Sequence, residues 1–155
     1  MNEVRYIFDS NIFINMQRLY PADIFESLWD EIDTFIQSGI IFSSEEVLDE
    51  IKKGDDNLVD WAKERKDIFL ESDEEVQNIV KIILRSHAAL ITGSRRQNDA
   101  DPFVIALAKK TGYKLVTDER RSGGNQPPKI PNVCDDYDIE CINFNDFLRE
   151  NQVKI

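Results

Sequence analysis

The 155-residue chain is 41% hydrophobic and 32% charged, with a formal net charge of −11. It has no apolar run near the roughly 18 residues of a membrane span, no basic segment leading into an apolar run at the N-terminus, and only two cysteines, Cys134 and Cys141. These features exclude a membrane-spanning or disulfide-scaffolded protein and lead us to expect one cytoplasmic domain over residues 1–155 with reduced thiols; the acidic balance also argues against a chain held on nucleic acid by its overall charge.

In chain order, Glu3 to Asp9 reads as a short strand, because Val4, Tyr6, Ile7 and Phe8 favour strands and the run is brief. The segment DIFESLWDEIDTFI repeats apolar residues at helical spacing after Pro21 and before Gly39, which predicts an amphipathic helix. A second short strand is predicted at residues 40–42 (IIF). The next segment, SSEEVLDEIKKG, predicts a helix with a capping box of Ser43 and Glu46 and a closing Gly54. Leu58 to Arg65 reads as helical, and IFL at 68–70 as a strand or the lead into the next helix.

SDEEVQNIVKIILRSHAALI carries the most regular apolar stripe, and Ser72 with Glu75 forms a second candidate capping box. TGSRRQND reads as a loop, ADPFVIALAKKTG as a helix ended by Gly112, and YKLVT as a strand. DERRSGGNQPPKIP reads as a long polar loop, IECI at 139–142 as a last strand and FNDFLREN as a last short helix. Strands separated by helices predict a parallel sheet covered on its faces, with ligands at the carboxyl ends of the strands.

Several acids fall at those ends. Asp9 ends the first strand, Asp118 and Glu119 follow YKLVT, Asp99 and Asp101 open the helix before it, and Glu50 borders the apolar stripe of the helix after the second strand. Each has an ordinary structural explanation: Asp101 before Pro102 suits an N-cap, Glu50 a solvated helix charge, and Asp118 a loop start. Asp9 resists this, because a carboxylate abutting YIF is half buried and needs partners. Close carboxylate pairs repel by roughly 4 kcal/mol at an effective dielectric near 20, so raised pKa values or a cation must offset the crowding. An all-oxygen donor set selects a hard ion such as Mg²⁺ or Mn²⁺. The single histidine, His87, sits on an apolar stripe and reads as a core or boundary residue rather than a ligand.

Four segments together resemble PIN domains. YIFDSNIFI is similar to the opening strand and Asp of that family, VLDEIKKG to its glutamate motif, and DADPFVIALAKKTGYKLVTDE to its third motif. KIPNVCDDYDIECIN resembles the tail of a largely uncharacterised bacterial PIN-like subfamily with an Ile-Pro-x-x-Cys segment. The resemblance implies a three-layer α/β/α sandwich with a parallel sheet of four to five short strands. It implies a Mg²⁺- or Mn²⁺-dependent endoribonuclease, the toxin of a toxin–antitoxin pair of the VapC type, with RNA as substrate and an antitoxin protein as partner; a homodimer is compatible with it.

The acids that map onto the family's ligands are Asp9, Glu50 and Asp101, with Asp118 or Glu119 as the fourth; Ser10, Asn11 and Asp99 are candidates to orient them. Arg95, Arg96, Arg120 and Arg121, with Lys129, are candidates to hold flanking phosphates. Two rival readings are an acidic interaction module without catalysis and an aspartyl-phosphate phosphatase or receiver domain. The second lacks its marks: Asn11 stands where such a phosphatase has its second Asp.

Overall fold

The computed structural model describes residues 4–87, 100–124, 126 and 128–155. Five short strands, β1 Tyr6–Phe8, β2 Ile41–Ser44, β3 Phe69–Leu70, β4 Lys114–Val116 and β5 Cys141–Ile142, form an all-parallel sheet in the order β3-β2-β1-β4-β5. The helices are α1 Ser10–Leu19, α2 Glu26–Gln37, α3 Glu45–Ile51, α4 Asp56–Lys63, α5 Glu74–Ser86, α6 Asp101–Thr111, α7 Ile130–Asp136 and α8 Phe144–Glu150.

Parallel strands are joined by crossovers, and these are right-handed. The chain steps outward from β1 to β2 and β3, then returns across the sheet to β4 and β5. Reversing direction with the same hand puts α1 to α4 on one face and α5 to α7 on the other. Helix α8 returns to the first face, where the Phe147 ring packs edge-on against Tyr6, Phe8 and Phe35. This is the three-layer α/β/α arrangement expected. Burial on both faces explains why β1 is apolar throughout, with Tyr6, Ile7 and Phe8 all buried. Strand order reverses between β1 and β4, where Phe8 pairs with Val116, so the residues just beyond them flank the crevice in which such sheets bind ligands. Among the described residues, no helix is long and apolar enough to cross a membrane.

Several local expectations are corrected. Helix α3 is capped by Ser44, whose Oγ accepts from Val47 N at 3.3 Å, because the Ser43 hydroxyl is committed to Phe8 O. That helix ends at Ile51, and Gly54 lies just past it. Helix α5 is capped by Asp73 rather than Ser72. Ser72 is taken by α3: its N–H donates to Glu45 Oε2 at 2.6 Å and its hydroxyl to Glu46 Oε1 at 2.7 Å. Asp101 is not the N-cap of α6; Ala100 holds that position and Asp101 is the first helical residue. Gly112 closes α6 as expected, at φ 76°, where a side chain would be strained.

The polar loop after β4 ends in a helix that sequence reasoning missed, α7, with Pro131 in its first turn. His87 is a boundary residue: it terminates α5, with Nε2 at 3.1 Å from Asp136 Oδ2.

Candidate metal centre

Asp9 is carried out of the central strand straight onto the N-terminus of α1. Its Oδ1 accepts from Ser10 N at 2.7 Å, capping the helix, and its Oδ2 accepts from Thr117 Oγ1 at 2.8 Å. The side chain is 1% exposed. Thr117 lies one residue past β4, and its hydroxyl is a hub: it donates to Asp9 while accepting from Asn11 Nδ2 and from Glu119 N, each at 3.2 Å. Asn11 Oδ1 also accepts from Asp118 N at 3.3 Å, fixing the turn after β4. Ser10 thus contacts the Asp9 carboxylate directly, and Asn11 reaches it only through Thr117. Thr117 is not among the residues expected at the site from the sequence, although the Val-Thr ending of its strand is a signal for it.

One carboxylate oxygen each from Asp9, Asp101 and Glu119 lies within 4.8 Å of the others. Asp101 projects from the first turn of α6 and is 3% exposed. Its Oδ2 is buried without a hydrogen-bond partner, the one such side-chain atom among the described residues. Glu119 is steered by α7, whose Ile130 N donates to Glu119 Oε1 at 3.1 Å. Asn132 folds the connecting loop: its Oδ1 accepts from Ser122 N and Lys129 N, each at 2.9 Å, and its amide donates to Ser122 O at 3.0 Å. Glu50 borders the trio from α3, accepting the Ala100 N–H at 3.0 Å.

Burial drives the Asp9 carboxyl well above its usual range, and the charges of Glu119 and Glu50 push the same way; the Thr117 and Ser10 hydrogen bonds oppose it. Asp101 is raised further, by burial first and then by Asp9, Glu119 and Glu50, with Lys129 opposing. Asp9 and Asp101 titrate together rather than independently. An oxygen-only cluster with an orphaned buried oxygen fits a hard divalent cation.

Of the two adjacent acids after β4, Glu119 enters the cluster and Asp118 does not. Asp118 turns outward, where Oδ1 accepts from Phe144 N at 3.2 Å and Oδ2 from Asn15 Nδ2 at 3.5 Å. Arg121 is held bidentately by Asp135, both contacts at 2.7 Å. Arg120 is exposed beside it and has no hydrogen bond or ion pair among the described residues. Asp99, Arg95 and Arg96 lie outside the described residues.

The Thr117 hub makes a prediction. Thr117→Val keeps the shape but removes a hydroxyl that donates one hydrogen bond and accepts two. An activity that depends on Asp9 should fall roughly 10- to 100-fold, with Thr117→Ser restoring most of it, in initial-rate assays on variants of native circular dichroism.

A family model described as "Domain of unknown function (DUF4411)" matches residues 6–155. No curated protein matches the chain. Among solved structures, the crystal structure of FitAcB from Neisseria gonorrhoeae is similar with a TM-score of 0.52 and 20% sequence identity, covering 89% of this chain and 96% of that one. At that identity the likeness is one of fold.

Proposed function

This chain belongs to the family described as Domain of unknown function (DUF4411), and we propose that it is a PIN-like, Mg²⁺- or Mn²⁺-dependent endoribonuclease. The observation that carries this reading is the orphaned, buried Oδ2 of Asp101, set among the carboxylates of Asp9 and Glu119 where the strand order reverses. A single nuclease domain is part of the proposal, supported by one buried core that runs from Tyr6 to Phe147.

Asp9, Asp101 and Glu119 would hold the ion, with Glu50 completing the negative field. When bound, such an ion neutralises phosphoryl oxygens and makes a water nucleophilic near neutral pH. Thr117 and Ser10 fix the Asp9 carboxylate by hydrogen bonds to its two oxygens. Asn11 fixes Thr117 in turn. Lys129, whose charge reaches Asp101, and Arg120 provide positive charge for an incoming phosphodiester on an otherwise acidic protein. The test is incubation of single-stranded RNA with the full chain in Mg²⁺, Mn²⁺ or chelator. Cleavage in the ions alone supports the reading; intact RNA in every condition favours an acidic interaction module.

The PIN resemblance extends the proposal to the toxin of a toxin–antitoxin pair, in the cytoplasm. Expression in a bacterial host should arrest growth, and co-expression of the neighbouring gene products should restore it. Equal growth in both conditions, with an enzyme active in vitro, argues for a housekeeping nuclease.

A further inference from the structure

A cavity of about 470 Å³ opens directly beside the acid cluster and shares Thr117 and Glu119 with it. The volume falls within the roughly 300–1,000 Å³ typical of small-ligand sites. Its floor is apolar, formed by the buried Ile12 and Met16 of α1. Tyr20 and Phe144 also line it, the Phe144 ring packed against Phe8 and Phe147, and Asn15, Asn143, Asn145 and Arg120 add polar groups. Asp118 joins two sides of it, accepting from Asn15 of α1 and from the Phe144 N–H of α8.

We propose that this cavity binds the base and ribose of the nucleotide adjoining the cleaved phosphate; the proposal rests on the nuclease reading above and names the specificity of the same site. Three features carry it. First, shared walls put any group in the cavity within one nucleotide of the cluster. Second, carboxamides and an arginine beside Tyr20 are a combination suited to an unpaired base, by hydrogen bonds to its edge and stacking of the guanidinium plane on its face. Carboxamides offer both donors and acceptors. Third, the carboxylates of Asp118 and Asp146 in the wall disfavour a phosphate there and accept hydrogen bonds from amino groups and ribose hydroxyls. The cavity therefore favours bases with an exocyclic amino group, adenine, cytosine and guanine, over uracil.

The experiment titrates the full, metal-free chain with adenosine, cytidine, guanosine, uridine and ribose, reading the side-chain amide NMR signals of Asn15, Asn143 and Asn145. We expect the three amino-bearing nucleosides to shift these signals at roughly tenfold lower concentration than uridine, and Asn145→Ala, at an exposed position, to weaken the response. If no nucleoside moves them, or ribose moves them equally, the proposal is overturned. Sequencing the cut ends of a mixed RNA pool in Mn²⁺ judges the nuclease reading separately. Cleavage without amide shifts removes the base site and keeps the nuclease. Amide shifts without cleavage do the reverse.

Discussion

Millimolar Mg²⁺ or Mn²⁺ is expected to raise the melting temperature of the full chain by roughly 5 °C or more at about pH 8, and by far less at about pH 5. The reason is the cost of ionising the buried acids. Asp9 is pushed up from 3.8 to about 7, first by burial and then by Glu119 and Glu50. Below its unfolded value it is protonated in both states, and the native state carries no penalty. As pH rises through the folded value, the native state must hold a buried charge that the unfolded chain solvates freely, so stability is lost. Asp101, raised further, extends that loss to more alkaline pH.

The metal-free chain should therefore be most stable in mild acid and weaken progressively across neutrality. A divalent ion should bind the ionised form and reverse the loss where it is largest. Differential scanning fluorimetry across pH, with and without ion, checks this. A melting temperature indifferent to both ions at every pH would remove the metal centre.

Asp101→Asn is expected to raise the melting temperature of the metal-free protein by several degrees at neutral pH while lowering RNA cleavage at least 100-fold. The substitution keeps the side-chain shape, removes a buried carboxyl that the native state must hold protonated while the unfolded chain ionises it freely, and places an amide donor beside the Asp9 and Glu119 carboxylates. Its helix start is not at risk, because Ala100 holds the N-cap and the Asp101 Oδ2 has no hydrogen-bond partner to lose.

Asp9→Asn should lower activity equally but stabilise less. Both Asp9 oxygens accept hydrogen bonds, from Ser10 N and Thr117 Oγ1, and an amide nitrogen in place of one oxygen accepts none. The ordering of the two melting temperatures therefore reads out which acid is orphaned. A lower melting temperature for Asp101→Asn than for the wild type would show that Oδ2 has a partner worth keeping. Undiminished cleavage by both variants would move the chemistry elsewhere.

Much of this arrangement was legible in the residues. Apolar runs such as YIF and KLV, broken by helical spacing, specify a parallel sheet covered on both faces, because only a strand buried twice is apolar throughout. Asp9 stood out for the same reason, as a carboxylate attached to a strand that cannot be solvated. Glycine at a left-handed position located the end of α6 at Gly112.

What pattern alone left open was decided by contacts between distant segments. Ser72 is a good cap by type, but Glu45 and Glu46 claim its N–H and hydroxyl, and Asp73 takes the role. Helix α7 hides in a Gly- and Pro-rich stretch because Asn132, bonding back to Ser122, organises it rather than any local periodicity.

The sequence by itself determined that acids crowd one edge of a parallel sheet, since strand ends and alternation are local properties. Only the tertiary structure decided which acids meet. Asp118 and Glu119 are neighbours of like chemistry, and neither propensity nor spacing separates them. Their side chains leave the β4 end toward different neighbours: the Phe144 N–H of α8 and the Asn15 amide draw Asp118 outward, whereas the Ile130 N–H of α7 draws Glu119 in toward Asp9 and Asp101. Hydrogen-bond donors brought in by segments 11 or more residues away along the chain, and not the acids themselves, select the member of the pair that completes the site.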